Sequence, residues 1–226
     1  DYQRSRGLGD VYKRQMWGLP GQSLAEALQD LRQAIQLQPQ HISWYQLTIE
    51  PKTEFAGRPP ILPVDRVLQE IEQAGLALLA EAGFQRYEVS AFARPGYQCQ
   101  HNLVYWSFGD YMGIGAGAHG KITQGPNIYR TQRPSQPRLY QQDSQTTKLT
   151  EIPQTQRTIE FMMNALRLLD GVTQQSFAER TQLPWQSVSQ VWQELVDLEL
   201  VRHDRCATTA LGLRYLDSVL ERFLEA

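Results

Sequence analysis

The sequence predicts an α/β domain followed by a mostly helical domain of winged-helix-like form. Three observations predict it. Helical and strand patterns alternate from Ser23 to Ala93, the order expected of β/α units around a largely parallel sheet. From about Thr155 the pattern changes to successive helices. Between the last two of these, "LVRHDRCATT" is short, polar and β-branched, as a wing would be.

The elements follow in order. "WGLPGQS" (Trp17 to Ser23) is a loop, and Ser23 with Glu26 makes a capping box. Leu24, Leu28, Leu31 and Ile35 then recur at helical spacing until Pro39 closes the segment. "HISWYQLTIE" (41–50) is aromatic and β-branched and reads as a strand. Prolines 51, 59, 60 and 63 mark a loop. A second helix is expected over 65–82, with Val67, Ile71, Ala74 and Leu78 on one face and Gly83 as the C′ glycine. "YEVSAFA" (87–93) is a second strand, "RPGYQCQ" a loop, and "HNLVYW" (101–106) an aromatic strand. In a strand, His101, Leu103 and Tyr105 share one face, and Asn102, Val104 and Trp106 the other. "YMGIGAGAHG" (111–120) adds a glycine-rich strand and turn. Residues 121–157 read as a strand at the start and then loop. Helices are expected at 155–170, 174–182, 185–199 and 209–224. Gly171 ends the first, Thr173 caps the second, and Pro184 stands at N1 of the third.

Composition narrows the function. The chain has 226 residues, a formal net charge of −2 and 41% hydrophobic residues. It has no global basic field to draw in nucleic acid or an anionic membrane. Two distant cysteines, Cys99 and Cys206, make neither a CxxC pair nor a disulfide scaffold, which fits a reducing, cytoplasmic setting. No apolar run has the length of a membrane span. The first fifteen residues, "DYQRSRGLGDVYKRQ", are basic and lack an apolar period. They read as a non-native remnant, with native sequence beginning at or just before Met16 and an amino-terminal part missing.

Several motifs invite chemistry. Gly115, Gly117 and Gly120 satisfy G-x-G-x-x-G, but the dinucleotide fingerprint needs a helix to open at the third glycine. Strand-like "KITQGPNIYR" follows instead. The better reading is a strand end where backbone approaches something closely, a bound cofactor or a tight barrel crossing. Cys99, His101, His119 and His41 are candidate metal ligands, but their spacing suits no structural zinc site. The third helix of the winged-helix-like domain carries Glu194, Asp197 and Glu199 and neither Lys nor Arg, the wrong sign for a helix that reads DNA. Its Val188, Val191, Trp192, Leu195 and Leu198 read as core.

Four stretches in order, "GLPGQS", "HISWYQLTIEPKTEF", "YEVSAFARPGYQCQHNLVYW" and "GDYMGIGAGAH", resemble the later half of HemW-like proteins. These belong to the radical SAM family of oxygen-independent coproporphyrinogen III oxidase-like proteins. The resemblance covers about residues 16–225. It implies that 16–140 is the later part of a partial (β/α) radical SAM barrel with a haem-binding element. Residues 141–154 would be a linker and 155–226 the winged-helix-like domain. It also implies a cytoplasmic haem chaperone whose full-length form holds haem, a [4Fe–4S] cluster and S-adenosylmethionine and passes haem to acceptor proteins.

In that family the histidine of H-N-x-x-Y-W is the haem ligand, here His101. A neutral imidazole is a good axial ligand for haem iron. Tyr105 and Trp106 would face the porphyrin, and Gln98, Gln100 or Asn102 would hold the imidazole's other nitrogen. Thr48 and His119 would lie toward the S-adenosylmethionine pocket. The family's C-x-x-x-C-x-x-C run is absent from this sequence, and Arg14 stands where the family has an Asp. This chain alone is therefore expected to be inactive in radical chemistry. Rival readings are a coproporphyrinogen III dehydrogenase of the same superfamily and a non-catalytic interaction module. The expected partners are haem and acceptor haemoproteins, membrane-associated ones among them, and no nucleic acid. The bare chain is expected to dimerise or aggregate through exposed strand edges.

Overall fold

In the computed structural model, residues 12–224 are described, and they divide into two compact units after Cys99. The first unit holds β1 (Tyr12–Trp17), α1 (Leu24–Gln36), β2 (His41–Gln46), a short α2 (Glu54–Gly57), α3 (Asp65–Glu81), β3 (Gln85–Glu88) and β4 (Ala91–Ala93). Its sheet runs β1-β2-β4-β3. β1 and β2 are parallel, whereas β4 is antiparallel to both β2 and β3. The expected strand over 87–93 is thus a hairpin. Its turn is held by the Ser90 amide donating to the Glu88 carboxylate at 2.8 Å. Tyr12–Gln15, set outside the fold on sequence, pair with His41–Trp44; residues 1–11 of the expected remnant lie outside the described residues.

The caps are as the sequence predicts. The Ser23 side chain accepts from the Glu26 amide and the Glu26 carboxylate accepts from the Ser23 amide. Gly83 follows the C-cap with φ +82°, a left-handed backbone that glycine adopts without strain. Leu31 from α1, Ile71 and Leu79 from α3 and Ile42 from β2 are fully buried together. Trp17 and Trp44 stack at 5.0 Å beneath them. Gly75 lets α3 lie on the Trp44 indole, since a Cβ there would fall within 2.6 Å of three ring carbons.

The second unit is richer than its sequence suggested. It holds α4 (Gln100–Trp106), β5 (His119–Gln124), β6 (Asn127–Gln132), α5 (Pro137–Gln142), β7 (Lys148–Glu151), α6 (Gln154–Ala165), α7 (Gln174–Thr181), α8 (Ser189–Asp197), α9 (Ala210–Arg214) and α10 (Leu216–Glu221). β5, β6 and β7 form an antiparallel sheet in that order. Residues 141–154, expected as a linker, therefore carry the end of α5 and an edge strand. Gln, Ser and Thr obscure the strand because all four β7 residues are exposed and show no apolar alternation.

Thr173 caps α7 through the Ser176 amide. Pro184 is the N-cap of a 3-10 turn, Trp185–Ser187, that precedes α8, rather than N1 of one long helix. The last expected helix breaks at Tyr215 into α9 and α10. The wing is present as two bridges, Val201 with Thr208 and Val172 with Cys206. Leu198 is exposed rather than core.

An edge-to-face aromatic series, Phe108–Phe161–Phe177–Trp185–Trp192, holds the unit together, with neighbouring centroids 5.2–5.9 Å apart. Buried Arg157 adds a second tie. Its guanidinium donates to the carbonyls of Ile152, Thr181 and Pro126 at 3.1–3.2 Å, joining the β5–β6 turn to α7.

Two outcomes follow from the first unit. Gly75→Ala should lower unfolding free energy by about 1–3 kcal/mol, because overpacking against a stacked indole outweighs the gain in helix propensity; urea midpoints check it. Burial pushes the His41 imidazole from 6.5 down to about 4. The unfolded chain therefore binds a proton that the folded chain refuses between those values. Stability should fall as pH drops through that window, by about 2 kcal/mol at pH 5 relative to pH 7 from this residue. His41→Gln should remove that part of the acid limb in urea titrations at the two pH values.

Candidate functional site

α4 opens the second unit, and it is a helix where the sequence predicts a strand. Aromatic and branched residues favour a strand by composition, but the chain turns at Ser107–Gly109 and packs α4 against α6 instead. Phe108, at φ +56°, is buried in the aromatic core and fixes that turn. The change of element regroups the faces. In a helix, His101 and Tyr105 are neighbours one turn apart, as are Asn102 and Trp106, while Leu103 leaves the His101 face.

The structure brings three predicted residues together. His101 is exposed, and its imidazole lies edge-on to Tyr111 at 6.4 Å. The Tyr105 ring is 5.2 Å from Tyr111 and 4.5 Å from Trp106. Tyr111 was not foreseen as a site residue. Its phenol accepts from Arg130 Nη1 at 3.3 Å, and Arg130 is ion-paired with Glu160. Desolvation raises the Tyr111 phenol above its usual range, and the nearby Tyr105 adds to the shift. The Arg167 guanidinium lies over Trp106, 4.4 Å from the ring centroid. Glu160, Met163, Asn164 and Arg167 stand at i, i+3, i+4 and i+7, a spacing that by itself marks one helix face.

Within the glycine-rich stretch, Tyr111 bridges to Lys121, residues 112–118 form a loop, and His119 and Gly120 begin β5. Gly113 and Gly120 answer the question of close approach. A Cβ on Gly113 would overlap the His119 carbonyl, and one on Gly120 would lie 2.8 Å from the Tyr111 carbonyl. These two glycines make room for the chain itself. β5 runs through Gly120 and no helix opens there. Met112 and Ile114, on the loop that follows Tyr111, are 78% and 81% exposed apolar side chains.

Beneath the loop, buried Lys121 donates to Asp110 at 2.7 Å and lies 4.4 Å from the Phe108 ring centroid. Burial lowers the Lys121 ammonium from its usual range, against the pull of Asp110. For Asp110, desolvation alone would raise the carboxyl. Hydrogen bonds from Lys121 and Thr123 outweigh it and hold the group low.

The remaining candidates lie on other elements. His119 is exposed at the start of β5, opposite Gln132. Thr48 lies in the first unit, two residues past the C-terminal end of β2, exposed and donating to Glu50 at 3.1 Å. His41 is a core histidine whose Nε2 meets the Tyr87 hydroxyl at 2.7 Å. Cys206 is buried, and desolvation pushes its thiol up to about 12. Among the described residues, no group of three or more His, Cys, Asp or Glu side chains is placed to hold a metal ion.

Comparison with known proteins places this geometry in context. The HemN C-terminal domain model matches residues 152–207. The heme chaperone HemW of Escherichia coli is 47% identical over 212 residues, covering 92% of this chain and 56% of that protein. HemW of Haemophilus influenzae is 47% identical, with 92% and 55% covered, and HemW of Bacillus subtilis 31%, with 79% and 49% covered. The chain thus spans about half the length of the curated relatives it matches. A solved structure described as "Coproporphyrinogen III oxidase (HemN) from Escherichia coli is a Radical SAM enzyme" superposes with a TM-score of 0.70 at 16% identity. It covers 97% of this chain and 56% of that one, a likeness of fold.

The ion pair beneath the loop should behave asymmetrically. Asp110→Ala strands a buried ammonium and should lower stability by about 1–3 kcal/mol. Lys121→Met removes the buried charge itself and should cost less, as comparative urea midpoints will show.

Proposed function

This chain is a HemW-like homologue within the radical SAM family, and on that footing we propose that it carries the haem-binding element of a haem chaperone. The observation that carries the reading is the exposed His101 imidazole on α4, set against Tyr111 with Tyr105 on the same helix face. A haem site needs an axial donor and apolar surface for the macrocycle. His101 supplies the first. Tyr105, with exposed Met112 and Ile114 on the adjoining loop, supplies the second. The residues present therefore fit haem. Haem, when bound, would be the cargo, ligated by the His101 imidazole and shielded on one face from water. Asn102 and Trp106 act from the other side of α4. Handing haem to acceptor haemoproteins suits a ligand at the surface rather than in a closed cavity. Membrane-associated proteins are included among the acceptors of this proposal. Among the described residues no helix is long and apolar enough to cross a membrane. The cytoplasmic location and a dimer of the chain remain parts of this proposal.

A [4Fe–4S] cluster is another matter. It takes deprotonated thiolates. The sequence has two cysteines, and burial holds the Cys206 thiol protonated. These residues do not fit a cluster, and no step is derived through one. Cluster and S-adenosylmethionine chemistry is assigned to the full-length protein, where Thr48 and His119 would approach the S-adenosylmethionine pocket. The fold likeness to HemN supports a second reading, a coproporphyrinogen III dehydrogenase. The sequence relatives named as haem chaperones favour the first.

Haem titration followed at the Soret band tests the proposal. The parent chain should saturate at one haem, and His101→Ala should weaken binding by about tenfold or more, with His119→Ala indifferent and both variants folded by circular dichroism. Equal binding by parent and His101→Ala would sink it.

A further inference from the structure

The haem reading depends on the exposed imidazole of His101. Tyr111 is the ring packed against it, with centroids 6.4 Å apart and planes at 81°. From this geometry we infer that Tyr111 is a positioning residue for haem ligation: its ring holds the His101 imidazole in one plane for the iron, and Arg130 holds Tyr111. The inference rests on the haem reading and names what prepares its axial donor.

The need for such a residue comes first. A histidine on the outside of a helix turns about two side-chain bonds. The second bond sets the ring plane, and its preference is broad. A mobile imidazole gives up that freedom when it ligates, and the loss weakens binding. Ligating histidines are therefore steered by a neighbour, commonly through a hydrogen bond to the second nitrogen. An edge-to-face ring contact steers in another way. It hinders rotation of the imidazole and takes up neither nitrogen.

The rigidity of Tyr111 is the second argument. A ring can fix its neighbour only if it is fixed itself. The Tyr111 backbone exchanges hydrogen bonds of 3.0 and 2.9 Å with Lys121. Its phenol accepts from Arg130 Nη1 at 3.3 Å, and Arg130 Nε donates to the Glu160 carboxylate at 3.0 Å. The Tyr105 ring lies 5.2 Å away. Tyr111 is thus held at its backbone, along its ring and at its hydroxyl.

The other histidines supply the third argument. Of the four in the chain, His41 and His101 make ring contacts among the described residues. His41 is in the core, where Tyr12 and Tyr87 pack on it. His101 is exposed and has an aromatic support all the same, which exposed His119 and His203 lack.

The four histidines also provide the test. Ring-carbon NMR relaxation of the full chain without haem reads their order on the picosecond to nanosecond scale. His101 should resemble buried His41 and differ from His119 and His203. Haem titration then reads the consequence. Tyr111→Leu should weaken ferric haem binding by about three- to tenfold and broaden the iron–imidazole stretching band of the ferrous complex in resonance Raman spectra. Tyr111→Phe keeps the ring and should stay close to the parent in both. Circular dichroism and thermal midpoints verify that the variants are folded. If Tyr111→Leu does not fold, the contrast among the parent's histidines decides. A His101 ring as mobile as those of His119 and His203, unchanged affinity and band in Tyr111→Leu, or Tyr111→Phe as weak as Tyr111→Leu each overturns the inference. If His101→Ala removes the band while Tyr111→Leu changes nothing, the haem reading stands and this inference alone fails. If haem binding and the band are indifferent to His101→Ala, the haem reading fails and takes the inference with it.

Discussion

The backbones of Tyr111 and Lys121 exchange two hydrogen bonds, of 3.0 and 2.9 Å, and the arrangement of the candidate site depends on that exchange. It closes the glycine-rich loop, and closure at that distance is why Gly113 and Gly120 lack side chains. It sets the Tyr111 ring against His101 and Tyr105. It also buries the Lys121 ammonium between Asp110 and the Phe108 ring, so the loop is held by an ion pair whose cation is shielded from water while its carboxylate is not. Phe108 continues into the aromatic core of the helical unit. The exposed imidazole thus stands on a helix whose following turn is anchored through Phe108 in an aromatic core.

This anchoring explains why the unit boundary falls after Cys99 rather than near residues 141–154. Phe108, in the turn that ends α4, shares its core with the helices that follow. A ligand-bearing surface built this way is rigid on its inner side and open on its outer side. That combination suits a cargo that is held by few contacts and then released.

Much of the first unit was legible in the sequence because local and global signals agree there. Leu24, Leu28, Leu31 and Ile35 recur at helical spacing, Ser23 and Glu26 cap the helix, and Gly83 ends the next. The failures have physical causes. "HNLVYW" has strand composition, yet Ser107–Gly109 and the pull of Phe108 into the core make it a helix. β7 is exposed on both faces and shows no alternation. The strand read over 87–93 conceals a turn that no glycine or proline marks, because the Glu88 side chain closes it. Of the candidate site, His101, Tyr105 and Trp106 were visible through their motif. Tyr111, Arg130 and Arg167 were not, since they come from other elements and only the fold joins them.

The pattern at the candidate site is an exposed imidazole beside a cluster of aromatic rings, His101 and Tyr105 from α4 and Tyr111 from the loop. The most direct measurement is the iron anomalous signal from crystals of the chain grown with haem. The account predicts a single iron peak at the His101 imidazole, with the macrocycle lying along Tyr105. A peak at His119, or one remote from α4, would contradict it.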